Sequence, residues 1–140
     1  KVLFPAWGDP DLPFLNRLTM IISAHFDFLV ENPLLPRFLI NEILSRPERY
    51  ELLQSRISQY AGVVFDNLQT EITKSVEKGE ILPVDGKMLF INVMSLNVFT
   101  FIAYPLLETA MGDLMADRER FLAIRKAENI EVIMSRILKR

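Results

Sequence analysis

Apolar residues recur at steps of three and four along almost the whole chain, and no run alternates strictly as a half-buried strand would. The cleanest stripe is Tyr50, Leu53, Ile57, Tyr60, Ala61, Val64, Leu68 and Ile72, with Glu51, Ser55, Ser58 and Gln69 on the other faces. It predicts a helix over residues 48–78, roughly 45 Å long at 1.5 Å per residue. Ahead of it, Leu15, Leu18, Ile22, His25, Phe26 and Leu29 share one face of a helix over 12–31. Met20, Ile21 and Phe28 lie off that face, which gives the broad apolar coverage expected of a helix central to a bundle. Asn32-Pro33 ends it, because a residue before proline is pushed out of the helical region. A short helix follows over 34–45, with Pro36 tolerated in its first turn and Pro47 closing it.

Gly79 is placed to stop the long helix. Asp85 follows the linker Ile81-Leu82-Pro83-Val84 and offers a side-chain oxygen to cap a fourth helix over 86–111. Gly112 ends that helix, and a fifth runs from 114 or 118 to 138. Its Ala123, Ala127, Ile130, Met134 and Ile137 form a narrow seam, widened by Leu122, Ile133 and Leu138, with Phe121 and Val132 on the opposite face. A helix with two apolar faces needs two surfaces to bury them. The pattern as a whole predicts an all-α bundle of five helices joined by short connections.

Residues 88–107 are almost wholly apolar and about as long as a membrane span. Asn92, Ser95, Asn97, Thr100 and Pro105 interrupt them, and a helix buried by its own domain and by a partner has the same composition. We read the segment in the second way and expect no membrane partner. Pro105 removes a helical donor, so a kink is expected there, a bent helix or a hinge beside a ligand.

The chain has 140 residues, enough for one domain with a real core. Charged residues make up 24% and nearly balance, for a net charge of -2, so there is no electrostatic reason for it to bind nucleic acid by itself. The basic tip at Arg136, Lys139 and Arg140 lies where a helix C-terminus favours positive charge. The absence of Cys excludes disulfides, Cys-ligated metals and thiol nucleophiles, and suits a reducing cytoplasm. Lys1-Val2-Leu3-Phe4-Pro5 has no initiator Met and is too short an apolar stretch for a signal peptide. Residues 1–11 are therefore expected to be an irregular connector from a preceding part of a longer chain, and 12–140 the domain proper.

Several motifs then carry a family resemblance. The stretch Phe28-Leu29-Val30-Glu31-Asn32-Pro33-Leu34-Leu35-Pro36-Arg37-Phe38-Leu39-Ile40-Asn41-Glu42 resembles the turn between the two helices that open the regulatory domain of TetR-type transcription regulators. Gly79-Glu80-Ile81-Leu82-Pro83-Val84-Asp85 resembles the junction before that family's penultimate helix, and Phe101-Ile102-Ala103-Tyr104-Pro105-Leu106-Leu107 resembles the end of that helix. The segment 118–140 is similar to its final helix. The motifs occur in order and at the family's spacing over residues 12–140. The family's N-terminal helix-turn-helix domain is absent, and no segment matches its recognition helix. The resemblance implies a five-helix regulatory domain that dimerises through its last two helices. It also implies a small, mostly apolar effector that modulates operator binding by the intact parent, which reaches DNA only through the missing domain.

Within that frame the fourth helix carries two polar seams. Asn97, Thr100 and Tyr104 share one face with Phe90, Val93 and Phe101; Asn92, Ser95 and Ala103 share another with Met88 and Phe99. Buried amides and hydroxyls need partners. Small Ser95 and Ala103 permit close helix approach, so the second face is assigned to a two-fold homodimer, together with Ala123, Ala127, Ile130, Met134 and Ile137. The first face is assigned to an effector pocket between the first, third and fourth helices, formed by His25, Leu29, Tyr60, Val64, Phe90, Val93, Met94, Asn97, Phe101 and Tyr104. The same residues also suit a plain bundle core, as do Tyr50 and Phe65, which are further candidates for an aromatic wall. His25 is the only histidine, poor material for a metal site that needs converging ligands. No cofactor is expected. No Ser/His/Asp arrangement, Gly-rich phosphate loop or His-Glu-x-x-His motif occurs, so no enzyme activity is expected. The rival expectation is a helical module that binds a protein partner and no small molecule.

Overall fold

A computed structural model of the chain describes residues 11–139. The connector expected over 1–11 and the terminal Arg140 lie outside the described residues, apart from Asp11. The fold is all-helical: α1 (Phe14–Glu31), α2 (Leu35–Ser45), α3 (Pro47–Glu77), α4 (Gly86–Ile102), α5 (Tyr104–Met111), a 3-10 turn (Gly112–Met115) and α6 (Arg118–Ile137).

Local chemistry sets most of these ends. Proline occupies the first turn of α2, α3 and α5, where its missing N–H is not needed. Asp85 caps α4 by accepting from the Lys87 and Met88 N–H groups at 2.7 and 3.4 Å, and Asp117 caps α6 by accepting from the Arg120 N–H at 3.2 Å. At the end of α3, Gly79 takes φ +77, its N–H donates to the Val76 carbonyl, and the Glu80 N–H donates to the Ser75 carbonyl. That double closure satisfies two carbonyls the helix leaves open.

The expected fourth helix is in fact two. Helix α4 ends at Ile102, and the α5 segment leaves at 74° to it. Pro105 cannot donate to the Phe101 carbonyl and its ring would clash there, so the chain breaks completely instead of kinking. The bundle therefore has six α-helices among the described residues. No single helix among them is long and apolar enough to cross a membrane; only the bent α4–α5 pair passes by length and composition.

Helices α1, α4 and α6 pack on one another at the centre. One core cluster joins Phe14, Leu18 and Ile22 of α1 to Leu68 and Ile72 of α3, Leu89 of α4 and Ile133 of α6. A second lies toward the other end, around Phe26, Leu29, Phe101, Phe121 and Leu122, with the Phe26 and Phe101 rings edge-on at 5.4 Å. The Leu82 N–H donates to the Ile137 carbonyl at 2.8 Å and clamps the α3–α4 linker over the end of α6.

The long stripe of α3 is buried only in its C-terminal part, at Leu68 and Ile72. Upstream, the N-terminal part of α3 stands away from the core. Leu53, Ile57 and Tyr60 are exposed there, and Leu52 is 81% exposed.

Candidate functional site: an apolar cavity beside a buried polar chain

Three helices leave a cavity of about 540 Å³ between them. Its walls are His25, Phe28 and Leu29 from α1; Leu35, Pro36, Leu39 and Ile40 from α2; and Met94, Ser95, Val98, Phe99 and Ile102 from α4. Pro33, next to the α1–α2 turn, and Pro36, in the first turn of α2, fold α2 back across the gap. The Arg37 guanidinium then donates to the Ile102 carbonyl at 3.3 Å and holds α2 against the end of α4. The floor is buried, with His25 only 4% exposed beside Leu29, while Leu39, Ile40 and Phe99 form an exposed apolar rim. Only His25 and Ser95 bring polar side chains. The size and the sparse polarity fit a small-molecule site.

Behind His25 runs a chain of hydrogen bonds through the core. Asn129 Nδ2 donates to the Leu96 carbonyl at 3.1 Å and to Asn97 Oδ1 at 3.0 Å. Asn97 Nδ2 donates to the Ile22 carbonyl at 3.2 Å and lies 3.0 Å from His25 Nδ1. Both asparagines are fully buried, so the chain links α6, α4 and α1 without solvent. Burial pushes the His25 pKa below its ordinary value, which keeps the ring neutral. One turn further along α4, Arg125 Nε donates to the buried Thr100 hydroxyl at 3.3 Å. Asn129 Oδ1 and the Tyr104 hydroxyl oxygen are buried without a hydrogen-bond partner among the described residues.

The expected pocket residues separate into two groups. His25, Leu29 and Met94 line the cavity. The others lie elsewhere, and their assignment to the wall is corrected. Asn97, Val93 and Phe101 are buried core residues, because α4 turns that face toward α1 and α6. Phe90 meets Phe65 edge-on at 5.1 Å. Tyr60 is exposed, and Val64 is half-buried on α3, which does not reach the cavity. Tyr104 packs edge-on to Phe121, under the Arg118 guanidinium. Tyr50, the other aromatic candidate, is exposed.

The expected partner face is redistributed too. Ser95 and Phe99 line the cavity. Met88, Asn92, Ala123 and Ala127 are exposed, and Ala103 is half-buried. Ile130 and Met134 are half-buried against the first core cluster. Ile137 cannot meet a partner: it is completely buried beneath the linker clamp. The outward apolar surface of α4 and α6 includes Met88 and Phe99 of the expected face, together with Ile91, Ile124 and Val132.

The α2 wall was missed altogether. Its signal was present in Leu35, Pro36, Leu39 and Ile40, an i, i+4 pair repeated one residue on, which marks a single apolar face of a short helix. Among the described residues no group of His, Asp and Glu could hold a metal ion.

No family model, curated protein or solved structure matches this chain.

Proposed function

We propose that this chain is the effector-sensing and dimerising domain of a TetR-type transcription regulator, taking a small, mostly apolar molecule into the cavity between α1, α2 and α4. The observation that carries this reading is the cavity itself: about 540 Å³, lined by ten apolar residues and two polar ones. The ordered motifs of the sequence supply the family. The outward apolar residues of α4 and α6 supply the second requirement, a surface for a two-fold partner.

Function then follows from linkage. An effector that fits one arrangement of α1, α2 and α4 better than another shifts the equilibrium by that difference in affinity and by nothing else. In an intact dimeric parent the shift would alter the separation of two DNA-reading heads, which must match half-sites roughly 34–36 Å apart. Operator binding would weaken effector binding by the same factor.

Native mass spectrometry of the purified chain tests both parts at once. The expected spectrum holds a dimer with a retained or added apolar ligand. A ligand-free monomer at micromolar concentration, unchanged by apolar additives, overturns the reading. A second reading, a helical module for a protein partner, is favoured by the exposed Leu52, Leu53, Ile57 and Tyr60 of α3. A stoichiometric protein complex in the same spectrum, with the cavity unused, would select it.

A further inference from the structure

The break at Pro105 leaves a second cavity beside the end of α4. The chain departs from α4 at 74°, and the 3-10 turn brings it back toward α6 around a gap of about 330 Å³. Buried Met115 and Phe121 form the floor with Thr100, and Leu107 and Met111 of α5 form a wall. Phe99 and Ile124 stand at the exposed rim, on the face proposed for a second copy. Of the described residues, only Phe99 lines both this cavity and the larger one. The volume lies at the lower end of the range for small-molecule sites.

Arg125 supplies the positive charge in that wall. It is half-buried, and its Nε donates at 3.3 Å to the hydroxyl of Thr100, itself 1% exposed. Both residues line the cavity, so the rigid, planar guanidinium is anchored at the cavity's buried end. Other sheltered cations are paired: Arg17 with Glu71 at 2.7 Å, and Lys126 with Asp27 at 2.9 Å. No ion pair among the described residues reaches Arg125, although Glu128 lines the same wall one turn along α6. Partial burial strips water from a guanidinium, and an opposite charge offsets that cost. The Thr100 bond uses the Nε–H; the N–H groups on Nη1 and Nη2 remain, in the fork geometry that matches both oxygens of a carboxylate.

We propose that this second cavity binds a small apolar carboxylic acid as its anion: Arg125 pairs with the carboxylate, and Leu107, Met111 and Met115 cover the tail. The site does not rest on the reading of the larger cavity as an effector site. A neutral alcohol with the same tail binds more weakly, because it carries no charge for the fork. The matching amine binds more weakly still, since its ammonium would stand beside a guanidinium.

Octanoate is the probe, titrated into the full chain at neutral pH beside octanol and octylamine. Isothermal titration is expected to show octanoate binding roughly tenfold or more tighter than octanol, the worth of a charge-assisted hydrogen bond. Methionine methyl NMR locates the acid without any variant, because Met111 and Met115 line this cavity and Met94 lines the larger one. The Met111 and Met115 signals are expected to move at the lowest octanoate concentrations, ahead of Met94. Arg125→Gln, with its thermal midpoint checked, is expected to bind octanoate and octanol alike. Arg125→Lys, a charge without the fork, is expected to keep part of the preference. Equal binding of acid and alcohol by the unaltered chain overturns the inference, and so do shifts that begin at Met94. A folded Arg125→Gln chain that still prefers the acid overturns it too. The larger cavity is lined by none of Arg125, Met111 and Met115, so its own reading stands apart from these outcomes.

Discussion

Arg17 and Glu71 tie the first helix to the third: Nη2 of Arg17 donates to Oε1 of Glu71 at 2.7 Å, with the two side chains 8% and 24% exposed. Arg17 Nε also donates to the Leu12 carbonyl at 3.1 Å, so the guanidinium is held on two sides. The hydrogen bond from Arg17 draws the Glu71 pKa below its ordinary value; burial opposes it, and the charges of Arg17 and Lys74 reinforce it. A carboxylate with a lowered folded pKa contributes stability above its unfolded pKa and loses it as the pH falls through the folded one. Glu71→Gln is therefore expected to lower stability by roughly 1–2 kcal/mol at neutral pH and to flatten the acid limb of the stability curve. Urea midpoints at about pH 7 and about pH 4 measure both.

His25 adds an earlier slope. Its folded pKa is lowered, so the unfolded chain takes up a proton that the folded chain refuses. Its stabilising contribution is complete above about pH 6.5 and declines as the pH falls below that value toward the folded pKa. His25→Phe should remove this slope while leaving the Glu71 limb in place. No other histidine contributes, so the comparison is clean.

Two glycines should resist substitution for different reasons. Gly112, after α5, has φ +55 and ψ -121, a conformation that L side chains rarely adopt, and a Cβ there would meet open space. The cost of Gly112→Ala is then pure backbone strain, roughly 1–3 kcal/mol. At Gly86 the limit is space: a Cβ would lie 3.2 Å from both Leu68 Cγ and Gln69 Oε1, and the Gly86 N–H donates to that same oxygen at 2.8 Å. Gly86→Ala is expected to shift the α3–α4 contact and lower stability by about 1 kcal/mol or more. Thermal midpoints separate these from a silent surface change.

Phe101 is a core residue. Its ring meets Phe26 edge-on at 5.4 Å and is buried with Leu122 and Met115. Phe101→Ala is expected to cost about 3–5 kcal/mol, whatever ligand is present. A change in probe affinity with stability intact would contradict that placement.

The outward residues Ile124 and Val132 lie on α6, clear of both core clusters. Replacing each with Glu should leave the thermal midpoint of the isolated fold nearly unchanged. In the proposed dimer, the same change should raise the dissociation constant at least tenfold, because a buried unpaired carboxylate opposes association. Sedimentation at several concentrations gives the answer, and an unaltered association constant would clear α6 of that role.

Much of the secondary structure was legible because its causes are local. Asp85 reaches the N–H groups two and three residues ahead, α3 closes where the Gly79 N–H reaches three residues back and the Glu80 N–H five, and Pro36 sits where a first turn tolerates it. Pro105 announced a disturbance, but how far the chain would turn depended on where Tyr104 found its packing, against Phe121 of α6.

The order of the helices, their caps and the excess of apolar surface on the later ones belong to the sequence alone, since each follows from residues a few positions apart. The orientation of α4 does not. A helix apolar on every side has no preferred face, so only its neighbours decided that Asn97 turns inward to Ile22, His25 and Asn129 while Ser95 and Phe99 border the cavity. The same holds for α2, whose short apolar face becomes a wall only when the chain folds back beside α1 and α4. Periodicity reports that a surface must be covered; which surface covers it is settled by contacts between residues far apart in the chain.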